Sequence, residues 1–128
     1  MAMRPQLKKI VEVLKEEVPI QDREGYWEML ESGSEEKEHD FLKKNMHRLR
    51  KPIKVPAGTT WIAKSSSGNT KGMFKEDCRI IGVVNRIGNQ IVLDKPASVI
   101  MGHEDYPDFY EQLSSLSTDL LEKIAEAL

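Results

Sequence analysis

Leu7, Ile10, Val11, Leu14 and Val18 recur at i, i+3, i+4, i+7 and i+11, the spacing of one helix face. A helix is predicted over residues 5–18, with Pro5 in its first turn and Pro19 ending it. Tyr26, Trp27, Met29 and Leu30 predict a short second helix, capped by Asp22 and broken by Ser32-Gly33-Ser34. Phe41, Leu42, Met46 and Leu49 predict a third, starting after Ser34 and stopped by Pro52. Glu35 and Glu36 at its start and a run of Lys and Arg at its end complement the helix dipole.

From Ile53 the period changes. Val55 to Thr59 reads as a turn, with Pro56 at its first central position and Gly58 available for positive φ. Thr59 to Lys64 has strand composition. Ser65 to Gly72 holds no apolar side chain and is expected to be an exposed, mobile loop. Cys78 to Ile87 is a β-branched run, Gly88-Asn89 a two-residue turn, and Gln90 to Asp94 the returning strand. That turn sets Ile87 opposite Gln90, Arg86 opposite Ile91 and Val84 opposite Leu93. Apolar side chains then fall on both faces, so this hairpin should be covered on both sides. Ala97 to Met101 is a further strand candidate. In the tail, Phe109, Leu113, Leu116, Leu120, Ile124 and Leu128 keep a helical period, with Asp105 as cap. Ser114-Ser115 and Ser117-Thr118 are points where that helix would bend or break.

These elements predict an α+β fold. A small antiparallel sheet or barrel-like centre, about residues 53–101, is packed by N-terminal helices and one C-terminal helix. The 128 residues suit a single domain: 1–52 helical, 53–101 β-rich, 102–128 an amphipathic helix. The longest apolar run is about five residues, far below the roughly 20 that span a bilayer, so no membrane is expected. The first residues lack an apolar signal core. One cysteine, Cys78, permits no intrachain disulfide, and a reducing cytoplasm is expected.

Charge changes the picture. Residues 43–95 carry twelve Lys and Arg against three acids, or +9. Residues 1–42 carry −5 and residues 96–128 carry −6, which leaves the net −2. A basic, strand-like centre thus lies between two acidic, helical flanks, a pattern that net charge conceals. Lys43, Lys44, Arg48, Arg50, Lys51 and Lys54, continued by Lys64, Lys71 and Lys75, are the candidates for a phosphate-facing ridge. The plainer alternative is a solvated helix end whose bases offset the acidic flanks.

Other candidates are weaker. Trp61 beside Lys64 has the chemistry to stack on a base, but a Trp in a small β-rich protein is usually core, and Phe74 and the Tyr26-Trp27 pair are read the same way. Ser65 to Gly72 lacks the G-x-x-x-x-G-K-[ST] spacing of a phosphate loop. His103, Glu104, Asp105 and Asp108 crowd a strand-to-helix junction without metal-site spacing, so capping is expected there. Cys78 opens an apolar strand, and Glu76-Asp77 oppose a thiolate, so an inert thiol is expected. No motif for catalysis, a metal or a cofactor is present. The expected function is a small non-enzymatic binding or regulatory protein contacting nucleic acid through its basic centre. Short charged chains with a compact β-centre are common among phage and mobile-element accessory proteins, although no motif carries such a resemblance here. The alternative is an inhibitor or adaptor that docks on a protein through its acidic helical surface or exposed loop. A small enzyme or a subunit of a larger assembly is a third.

Overall fold

In a computed structural model, the structure describes residues 4–16, 23–65, 68–85, 89–97, 99–100 and 113–128. Three helices come first: α1 (Pro5–Glu16), α2 (Arg23–Ser32) and α3 (Glu35–Asn45). Five strands follow: β1 (His47–Val55), β2 (Thr60–Ser65), β3 (Gly68–Met73), β4 (Cys78–Asn85) and β5 (Asn89–Leu93). A 3-10 turn, Leu113–Ser115, leads into α4 (Thr118–Ala127). The fold is α+β. A three-stranded antiparallel sheet of order β1-β4-β5 and a separate two-stranded ribbon, β2-β3, replace the barrel-like alternative.

The local signals for the helices hold. Gly33, at φ +64, follows the end of α2. Ser34 caps α3 by accepting the Lys37 N–H at 3.3 Å. Ser117 breaks the tail where serines were expected to, accepting the Leu120 N–H at 3.4 Å and starting α4 afresh. The proposed cap Asp105, Phe109 and the His103–Asp108 cluster lie outside the described residues, as do Asp22, Pro19 and Val18.

The third helix is shorter than predicted. It ends at Asn45, Met46 is extended, and His47 to Val55 form an edge strand rather than a helical turn. The reason is tertiary. β4 is buried on both faces, and its edge opposite β5 needs a hydrogen-bonding partner. Pro52, read as a helix stop, instead sits where the ladder is interrupted, a position proline tolerates on an edge strand.

The β4-β5 hairpin also corrects its predicted register. Val84 pairs with Gln90 and Val83 with Ile91, and Asn85 with Asn89, so the connection is three residues rather than two. A bulge follows, because Ile80 pairs with Leu93 and Gly82 with Val92. The expectation that both faces are covered stands. Ile80, Val83, Ile91 and Leu93 face the main core with α1 and α4, while Val84 and Val92 pack under Leu42 of α3. Met46 closes over Gly82, where an added Cβ would lie 2.5 Å from its sulfur.

Four further expectations change. Ser65 to Gly72 is largely strand: β2 reaches Ser65 and β3 starts at Gly68. Ala97, Val99 and Ile100 are helical, not extended. Trp27, expected in the core, is 61% exposed, whereas Trp61 and Phe74 are buried as expected. The turn before β2 uses Gly58 at φ +89, but Pro56 is its first residue, accepting the Thr59 N–H at 3.1 Å.

The chain ends are tied together. Arg4 donates to the carbonyls of Leu116 at 2.8 Å and Ser114 at 3.0 Å, just before α4. α1 packs against α4, and Ile10 and Leu14 meet Leu120, Leu121 and Ile124 in one core. Among the described residues no helix is long and apolar enough to cross a membrane.

Candidate nucleic-acid interface

β1 carries the densest cationic segment on a strand, and the strand exposes it. Between Arg48↔Gly82 and Ile53↔Ile80 the ladder skips, with four residues of β1 set against one of β4. Leu49 turns into the core, and Arg50, Lys51 and Pro52 are pushed outward and exposed. Regular pairing resumes with Ile53 and Val55 inward and Lys54 outward.

The irregular segment forms one wall of a groove of about 490 Å³. Arg50, Lys51, Pro52 and Lys54 face Lys123, Glu126 and Ala127 from the last turns of α4. The guanidinium of Arg50 donates to the backbone carbonyl of Glu126. This satisfies one of the carbonyls that every helix end leaves open and sets a cation at the negative end of the dipole. Arg50 therefore holds α4 as well as contributing charge.

Lys54 pairs with Arg79 across the ladder. Opposed residues project to the same side, so two exposed cations stand together, an arrangement that costs stability unless an anion answers it. Asp94 is engaged with the backbone there, accepting the Arg79 N–H at 3.1 Å. Among the described residues no carboxylate lies within 4.0 Å of Arg48, Arg50, Lys51 or Lys54, while Lys95 and Glu76 do pair, at 3.9 Å.

The predicted ridge is not continuous. Arg50, Lys51 and Lys54 come together, and Arg48 stands exposed on the same strand. Lys43 lines a different groove, of about 470 Å³, together with Glu35, Glu36, Asp40, Asp94 and Lys95. Lys44 is exposed on the last turn of α3 and lines neither groove. Lys71 is exposed on β3, and Lys75 is exposed just beyond it. The side chain of Lys64 lies outside the described residues. Arg79, Lys123 and Glu126 were missed. Lys123 looked like an isolated cation in an acidic tail, and no local signal places it opposite β1.

Two reactive-looking groups have structural roles. The His39 ring shares a 2.5 Å hydrogen bond with the Leu93 carbonyl, joining α3 to the end of β5. Burial pushes the Cys78 thiol up to about 12, with Asp94 adding to the shift. The thiol is then protonated at neutral pH and shielded. A disulfide reagent at pH 8 should leave Cys78 unmodified for hours in the native protein and titrate one thiol within minutes in denaturant. Rapid native modification would show that the strand end opens. No His, Cys, Asp or Glu cluster able to hold a metal ion occurs among the described residues.

In comparisons with protein-family models, with curated proteins and with solved structures, the chain matches none.

Proposed function

We propose that this protein is a non-enzymatic nucleic-acid-binding protein that contacts phosphates along the outer side of β1. One observation carries the reading. The 35 residues from Phe41 to Lys75 hold nine Lys and Arg and no Asp or Glu, and the β1 irregularity turns its share of those cations outward. At the chain's own frequency of 21 acids in 128 residues, about six acids would be expected there. A run of cations with no acid among them in the sequence favours a polyanion, because binding releases the counterions condensed on it. A reducing cytoplasm suits the single buried thiol.

The test reverses Arg48, Lys51 and Lys54 to Glu together and spares Arg50, which holds α4. Affinity for mixed-sequence DNA or RNA at low salt should fall at least about 100-fold, and equally for all sequences, since phosphate contacts carry no base information. The slope of log K against log salt should become shallower by about 3. The melting temperature should stay within about 2 °C, since all three side chains are exposed. A wild-type protein that binds neither DNA nor RNA at low salt sinks the proposal.

A second reading, an adaptor docking on a protein through its acidic helices, is favoured by Trp27, exposed on α2 near the exposed Glu28 and Glu31. Aromatic anchors in a polar rim are typical of protein interfaces. A stable protein complex lost on Trp27→Ala, without nucleic-acid binding, would establish it.

A further inference from the structure

We infer that the nucleic acid is duplex DNA and that the β2-β3 ribbon enters its groove; this rests on the nucleic-acid reading of β1. The ribbon is a sheet of its own. Its ladder runs without a shift from Thr60↔Met73 to Ser65↔Gly68, and among the described residues no pairing joins it to β1, β4 or β5. Register divides its faces. Trp61 lies against Gly72 on the inner face, which packs on the core. Thr60, Ile62, Lys71 and Met73 share the outer face, and all four are exposed.

The outer face is unlike an ordinary solvated surface. Ile62 and Met73 are 42% and 44% exposed, and they flank a cation with no acid anywhere in the ribbon. Their combination suits a partner that is anionic outside and offers apolar edges within. A DNA groove is such a partner, with phosphates on its rims and thymine methyl groups among the base edges on its floor.

Two arguments choose the duplex. Proteins that hold single strands stack the bases on exposed aromatic rings. The ribbon's Trp61 and the adjoining Phe74 are 1% and 0% exposed, so neither can serve as a platform. The groove dimensions then separate DNA from RNA. Two paired strands lie about 4.8 Å apart and fit a B-form major groove about 12 Å wide. The major groove of duplex RNA is too narrow and deep for side chains to read.

The experiment compares wild type with Ile62→Ser/Met73→Ser, which leaves charge unchanged, and with Lys71→Glu. Fluorescence anisotropy is read on 20-base-pair mixed-sequence DNA, the matching RNA duplex and each single strand. Wild type should bind the DNA duplex at least about tenfold more tightly than the others. The Ser pair should erase most of that preference without altering the salt slope, and Lys71→Glu should make the slope shallower by about 1. In unmutated protein, the Met73 methyl resonance should shift on adding duplex DNA, a readout independent of any variant's folding. An unshifted Met73 methyl, tighter binding to single strands, or unchanged duplex binding by the Ser pair overturns the ribbon inference. If the β1 triple variant has meanwhile lost binding, the reading of β1 survives that failure. Absence of all nucleic-acid binding by wild type overturns both, as does a protein partner whose capture depends on Ile62 and Met73.

Discussion

A chain ending at Leu116 should fail to fold. It would lose Leu120, Leu121 and Ile124, which are 5%, 0% and 0% exposed and sit against Ile10 and Leu14 of α1. Truncating one buried Leu or Ile to Ala costs about 2–5 kcal/mol, so three together are worth about 6–15. The whole stability of a domain is about 5–15 kcal/mol. The truncated chain would also lose the Glu126 carbonyl that Arg50 holds and the Thr118 hydroxyl beside Arg4. The expected product is unfolded or aggregated, with collapsed amide dispersion in NMR and no cooperative melt. A cooperative transition in the shortened chain would show that α4 is an accessory element. The milder Ile124→Ala should fold and lose about 3 kcal/mol in denaturant titration.

Gly72→Val should be the most damaging single substitution in the ribbon. An ideal Cβ at Gly72 would lie 2.1 to 2.6 Å from three atoms of the Trp61 ring. No flexible tip can yield there, because the obstacle is a rigid indole that is itself 1% exposed. Either the ring leaves the core or the two strands separate. Overpacking of this kind costs about 3 kcal/mol, a fall in melting temperature on the order of 10 °C for a chain of this size. Tryptophan emission should shift to the red as Trp61 gains water. A variant melting within about 2 °C of wild type would contradict the close packing. The same contact corrects the expectation that Ser65 to Gly72 is an exposed, mobile loop: its last residue is the floor under Trp61.

Part of this architecture is legible residue by residue. The i, i+3, i+7 spacing of Leu7, Ile10 and Leu14 identifies a helix and its buried side. Ser34 announces a helix start and Ser117 a break in the tail helix, because a hydroxyl next to an open N–H is a local interaction. The β-branched run in Cys78 to Leu93 shows a hairpin buried on both faces, whatever its register. Cys78 reads as inert from the apolar strand it opens.

Elsewhere a distant partner outweighs a local preference. His47 to Pro52 can be helical by propensity, yet β4 offers a ladder, and the chain takes it. The hairpin register moved because a three-residue connection and a bulge at Ile81 satisfy the core on one side and Leu42 on the other. Trp27 fits a short amphipathic pattern, but among the described side chains of α2 it is Met29 that is buried.

The helical periods, the Ser34 cap, the basic centre and the acid-free stretch that nominates β1 for phosphate contact are all legible along the chain. These are properties of neighbours along the chain, and short-range geometry and charge suffice to read them. Which cations act together depends instead on tertiary packing. Lys43 and Arg50 are seven positions apart, yet one stands among carboxylates and the other at the end of α4. Strand pairing and helix packing set that difference, because they bring together residues such as Lys54 and Arg79, or Lys51 and Lys123, that no local pattern relates.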